Sequence, residues 1–212
     1  MIKDLDTTIA TLLHGPAAGP ELSHAAITFE LPDRAWLQRL ADDLTVNCYL
    51  HAVAENLDLR TAEPLLQRSG DGQLATWREP PAHLDCTYAV TAWSRAEDGT
   101  LDEHRLLSQV VRVLLRHREF PRDALAGALV HQPLHSPTGN LGRDGVATRP
   151  EFWSALEQRP RPVLVYVVTL AVFVNEPGEP VPTVASLDHL SVGGDVRYPP
   201  VSEHFSAEEV VP

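Results

Sequence analysis

Cysteine is scarce. The 212 residues hold two, Cys48 and Cys86, each inside a strand-like run. A structural zinc site takes four ligands, and a disulfide-dependent secreted fold carries more thiols than this. Both are therefore read as buried free thiols, which behave as small apolar side chains. Lysine is scarcer still: Lys3 stands alone among 17 basic residues, the rest arginine. No run of Lys or Arg marks a basic patch, and 29 acidic residues leave a net charge of −12. That balance opposes the phosphate neutralisation on which nucleic-acid binding rests. Long apolar runs are missing too. The longest, residues 163–174 (VLVYVVTLAVFV), falls short of the about 20 residues that a membrane-spanning helix needs. The opening MIKDLDTTIATLL carries acids early and no extended apolar stretch, unlike a secretion signal. A soluble, cytoplasmic product without a membrane span is expected.

What is present suits one folded unit with an appendage. Apolar residues make up 43% of the chain, enough for a real core at this length. The organising stretch is residues 85–120. Its first ten residues alternate, with Cys86, Tyr88, Val90 and Ala92 on one face and Thr87, Ala89, Thr91 and Trp93 on the other. Glu97-Asp98-Gly99 then supplies turn chemistry, and the period changes to 3.6. Thr100 with Glu103 reads as a capping box. Leu106, Leu107, Val110, Val111, Leu114 and Leu115 form the expected apolar stripe of a helix that Pro121 stops.

Around this unit, residues 3–14 predict a short amphipathic helix and residues 25–31 a half-buried strand. Residues 33–43 read as a loop or as a helical turn or two. Residues 44–53 predict a strand, with 55–61 its charged continuation. Residues 65–81 contain Ser69-Gly70-Asp71-Gly72, a hairpin tip or surface loop. Residues 125–130 predict a short strand, 131–150 a long loop, 149–156 a short helix and 163–174 a strand buried between layers. From Asn175 the character changes: the last 38 residues hold six prolines, and seven acids against one arginine give −6. Such a segment reads as an arm, either a disordered tail or one that lies along a neighbour. The expected division is therefore a domain over residues 1–175 and a Pro-rich acidic C-terminal arm over 176–212.

No catalytic motif stands out. His131 and His135 have helical zinc spacing, but Pro133 lies between them and no Glu accompanies them. Ser94 and Ser154 lie in no nucleophile-elbow context. Residues 139–145 (GNLGRDG) lack the Lys-Ser/Thr ending of a phosphate loop and read as a flexible loop. Asp102, Glu103 and His104 occupy a first helical turn, where acids are expected anyway. Glu55, Asn56 and Arg60 are suited either to binding a carboxylate or to forming a salt-bridged strand end, with pairing within the chain or across a subunit boundary equally open. No catalytic, metal or cofactor site is assigned.

Five blocks carry a resemblance: LTVNCYLHAVAENLDLR (44–60), YAVTAWS (88–94), DEHRLLSQVVRVLLRH (102–117), FWSAL (152–156) and PRPVLVYVVTLAV (160–172). In this order they resemble the tail-terminator, or cap, family of phage-tail-like contractile injection systems, over about residues 1–175. Ala52 and Ala54 stand where that family often has charge. The resemblance implies an α+β fold, a mixed β-sheet flanked by helices similar to phage tail terminators, here with an extended C-terminal arm. It implies a structural protein without a cofactor, forming a hexameric ring on the inner tube and sheath at the end distal to the baseplate. Asn47, Glu55, Asn56 and Arg60 are the candidate subunit-interface residues. Two other readings remain open: a small-molecule-binding or hydrolytic α/β domain, and an adaptor whose acidic tail recruits a partner.

Overall fold

One strand stands at the centre of the main sheet. A computed structural model describes residues 1–69, 71, 73–131, 136–142, 145–176 and 178–182. In chain order the elements are α1 (Ile2–Leu13), α2 (Pro20–His24), β1 (Ala26–Thr28), α3 (Arg34–Arg39), β2 (Leu44–Glu55), β3 (Leu65–Arg68), β4 (Leu74–Arg78), β5 (Ala82–Ser94), α4 (Thr100–Arg116), β6 (Thr138–Gly142), α5 (Pro150–Ala155), β7 (Leu164–Val172) and β8 (Val181–Pro182). The main sheet runs β1-β2-β5-β7-β6, so β5 is its centre. Only the β1–β2 pairing is parallel, which makes the sheet mixed. A second sheet of order β3-β4-β8 follows the same chain end as the start of β5.

Alternation along β5 decides which layer each side chain joins. Cys86, Tyr88, Val90 and Ala92 face α1 and α4, where they meet Leu5, Ile9, Leu12 and Leu13 of α1 and Leu106, Val110, Val113 and Leu114 of α4. Tyr166, Val168 and Leu170 of β7 complete that core. Tyr88 keeps its hydroxyl partnered by donating to Asp6 Oδ1 of α1 at 2.7 Å. Burial pushes the Asp6 carboxyl above its ordinary value, against the opposing pull of that hydrogen bond. The opposite face is covered over one half only. There Trp36 of α3 packs edge-on against Trp93 at 5.0 Å, with the Arg161 guanidinium 3.4 Å over the same ring. Phe152 of α5 lies 6.4 Å from Tyr49 and 5.9 Å from His51, while Trp153 donates its indole N–H to Ala147 O at 2.9 Å.

The expected strands at 44–53 and 163–174, the first helix and the helix at 149–156 all form, and residues 33–43 take the helical option. Other expectations are corrected. The strand expected at 25–31 shrinks to β1, with α2 before it. Residues 125–130 make no strand but a 3-10 turn, Gly127–His131. The cause is α1: Thr8 Oγ1 and Asp4 Oδ2 accept from the N–H groups of Ala126 and Ala128, groups that a ladder would have needed. The long loop expected at 131–150 contains β6 and a second 3-10 turn, Val146–Thr148. Gly139, in β6, pairs with Val168, and glycine is required there because a Cβ would run into the Tyr166 hydroxyl. Its neighbours Arg143 and Asp144 lie outside the described residues.

The capping box also fails. Gly99 is the N-cap of α4, and Glu103 instead accepts from Ser94 N at 3.1 Å and pairs with Arg161 at 3.5 Å. The buried stripe of α4 is Leu106, Val110, Val113 and Leu114, whereas Leu115 is 47% exposed. Leu106, Val110, Val113 and Leu114 fall at i, i+4, i+7 and i+8, the ordinary helical stripe, and Leu115 lies one residue off it.

Candidate subunit interface

Asn47 belongs to the interior. It is fully buried on β2, and its amide N–H2 donates to Thr28 Oγ1 at 3.1 Å and to Glu30 O at 2.9 Å. Those bonds hold the chain leaving β1 against β2. An amide engaged this way is not available to a neighbouring chain.

The other three candidates gather where β2 ends. Asn56 Oδ1 accepts from the N–H groups of Asp58 and Leu59, capping the 3-10 turn Leu57–Leu59. Its amide donates to Asp85 Oδ2 at 3.0 Å, and Thr169 donates to Asp85 Oδ1 at 2.7 Å. Asp85, absent from the candidate set, is thus the acid that ties β2, β5 and β7 together at this end. Its place on the strand face opposite the core was the available signal. Glu55 and Arg60 are exposed and line a cleft of about 210 Å³ with Thr61, Glu79, Pro80 and Val174. They make no ion pair with each other.

Two surfaces beyond the candidate set are open. The half of the main sheet not reached by α3 and α5 presents Ala52 and Ala54 exposed, beside a bulge between Leu50 and Ala52. A cleft of about 290 Å³ runs over it, lined by His83, Glu119, Thr138 and Thr169 among others. The second sheet exposes large apolar groups: Leu66 at 45%, its cross-strand partner Trp77 at 54%, and Val181 at 44%. Counting pairs outward from Ser69-Gly70-Asp71-Gly72 would set Leu66 against Ala75, two residues short of its actual partner Trp77; β8 had no signal in the sequence.

The groups weighed for catalysis are dispersed. Burial pushes the Cys86 thiol up to about 11 and Cys48 higher still, so neither is a ready thiolate. His131 is exposed on its 3-10 turn, and His135 lies outside the described residues. Ser154 donates to Pro150 O, and Ser94 accepts from Ala96 N. Among the described residues no three His, Cys, Asp or Glu side chains converge as metal ligands, and no helix is long and apolar enough to cross a membrane.

These features define a class: an α+β domain with a half-covered mixed sheet and open apolar surfaces. Residues 4–186 match the sequence model of the Pvc16 N-terminal domain, and the chain belongs to that family. Its fold is similar to the PVC sheath/tube terminator of an extracellular contractile injection system in its extended state. The TM-score is 0.59 at 23% identity, over 91% of this chain and 65% of that one. It is also similar to the anti-feeding prophage cap, a tube terminating cap, with a TM-score of 0.55 at 23% identity over 89% and 61%. The chain thus spans under two thirds of either structure's length. No curated protein matches the sequence.

Proposed function

We propose that this chain is a structural, non-catalytic cap subunit of a contractile injection particle. Copies close into a hexameric ring at the end of the inner tube and sheath, distal to the baseplate. The particle assembles in the cytoplasm without a cofactor or nucleic acid on this subunit. One observation carries the reading: the family match and the two terminator folds extend over nearly the whole chain rather than one motif. A ring suits a cap, because every subunit meets its neighbour through the same pair of surfaces and the rotation must close. Glu55, Asn56 and Arg60 take part in subunit contacts at the end of β2 in this proposal. Residues 1–175 are the terminator-like domain, and 176–212 the acidic arm that strengthens attachment, with Val181–Pro182 anchored on β4. The test is electron microscopy of assembled particles carrying a labelled copy of this chain. Label at one tube end, away from the baseplate, is the expected result; label along the sheath or at the baseplate refutes it.

A further inference from the structure

The two ends of the main sheet differ in charge and in what they expose. At the start of β5 stands the second sheet. Its strands β3 and β4 carry Arg68 and Arg78 and no acid. Arg78 is engaged, its guanidinium 4.6 Å over the Phe173 ring. The face turned away carries Leu66 and Trp77 exposed, with Arg68 beside them. Trp and Arg are among the residues that most often anchor interfaces.

At the far end of β5, residues 41–44 and 95–102 carry Asp42, Asp43, Glu97, Asp98 and Asp102 against Arg95 alone. Arg95 is turned back onto its own chain, donating to Ala41 O at 2.8 Å. An open groove of about 640 Å³ lies here, lined by Asp43, Leu44, Ser94, Arg95, Ala96 and Asp102. Leu101, at its side in sequence, is 68% exposed. Asp42 and Asp43 have no ion-pair partner among the described residues.

We propose that the Leu66–Arg68–Trp77 face of one copy docks into the Asp43–Asp102 groove of the next copy. Three arguments select a second copy as the occupant. The face offers an apolar pair beside a cation, and the groove offers Leu44 and Ala96 beside Asp43, which has no ion-pair partner among the described residues, and Asp102, which pairs with Arg105 at 3.2 Å; the net acidic charge of the groove complements Arg68. Strand β5, of 13 residues, separates the two surfaces by about 40 Å at the ordinary strand rise; one chain cannot satisfy itself. The two surfaces are also unlike, which makes the contact heterologous, the kind that closes rings. The inference rests on the ring reading for the expectation that copies meet.

Site-directed cross-linking tests it, because Cys48 and Cys86 are both buried and leave introduced thiols as the reactive ones. The full chain carrying Leu66→Cys and Ala96→Cys is treated with a short bis-maleimide, as purified protein and in assembled particles. A covalent ladder of the chain with itself is expected from the double variant, and dimers alone from a mixture of the two single variants. Arg68→Asp in the double variant should cut ladder yield by about tenfold, and Asp43→Arg added to it should restore the yield. No ladder, cross-linking of Leu66→Cys chains to one another, cross-links to another particle protein, or failure of the charge swap each overturn the contact. Failure of the cap reading is separate: it shows in the position of the label. A label at the tube end without a ladder refutes this contact alone, and a ladder with the label elsewhere refutes only the cap.

Discussion

Helix α4 offers a direct comparison between the face that periodicity draws and the face that the sheet accepts. Leu106 has no exposed surface, and Leu115 is 47% exposed. Truncating a fully buried Leu to Ala removes transfer energy and leaves a cavity, together about 2–5 kcal/mol. At Leu115 about half the side chain is already in water and the vacated space opens to solvent, so the loss is about 1 kcal/mol or less. Val113, as fully buried as Leu106 and outside the sequence stripe, loses two methyl groups from full burial on truncation to Ala, about 1–3 kcal/mol. With a urea slope of about 2 kcal/mol/M, Leu106→Ala should lower the midpoint by about 1–2 M and Leu115→Ala by under about 0.5 M. Urea titration at low protein concentration, followed by tryptophan fluorescence and circular dichroism together, reads both. Equal losses at Leu106 and Leu115, with none at Val113, would refute the packing of α4 described above.

Gly139→Ala should destabilise the β6–β7 edge, because its Cβ would run into the Tyr166 hydroxyl and sit 2.5 Å from its ring. Tyr166→Phe alone should cost little, since that buried hydroxyl has no hydrogen-bond partner, and in the double variant it should return part of the loss; thermal melts showing no rescue would contradict the steric account. For Asp6, burial raises the folded-state value above the ordinary 3.8, so ionisation opposes folding at neutral pH and the opposition fades as pH falls through the raised value towards 3.8. Asp6→Asn, which can still accept from Tyr88, should therefore gain most over the natural chain near neutrality, and the gain should shrink across that window; a difference independent of pH in paired urea titrations would sink this.

The elements that sequence exposed are those whose pattern is local. The alternation of β5, the unbroken apolar run of β7 and the 3.6 period of α4 each follow from neighbours in the chain, and each forms. What escaped is set by residues distant in sequence. Gly139 looks like a loop glycine until Tyr166 is seen passing over it. Residues 125–130 look strand-like until Asp4 and Thr8 take their N–H groups. Glu103 satisfies the capping-box pattern, yet its carboxylate finds Ser94 N and Arg161. The candidate site divides the same way. Glu55 and Arg60 do reach an exposed cleft, as charged strand-end residues should. Asn47 does not, because its partners Thr28 and Glu30 come from β1 and the chain just beyond it, and no local signal announces the parallel pairing of β1.

The edges of the main sheet carry the argument one step further. β1 pairs with β2 only through Thr45–Asn47, although β2 continues to Glu55. Beyond that point the outer edge of β2 has no neighbouring strand among the described residues, and Ala52, Val53 and Ala54 are exposed. Monomeric proteins guard such edges with lysine, proline or inward charge, because unpaired backbone groups recruit other strands. Here the protection is one bulge and Glu55, and Asp85 holds the underside of the same corner together through Asn56 and Thr169. A corner that is rigid but uncovered suits a surface that another chain covers. The second sheet repeats the pattern, with Arg78 fixed on Phe173 while Trp77 stands half in water. In both places apolar side chains stand uncovered on a framework that polar and ring contacts hold in position. Apolar surface presented on a fixed framework is what an assembling subunit needs, since its burial adds affinity when the neighbour arrives.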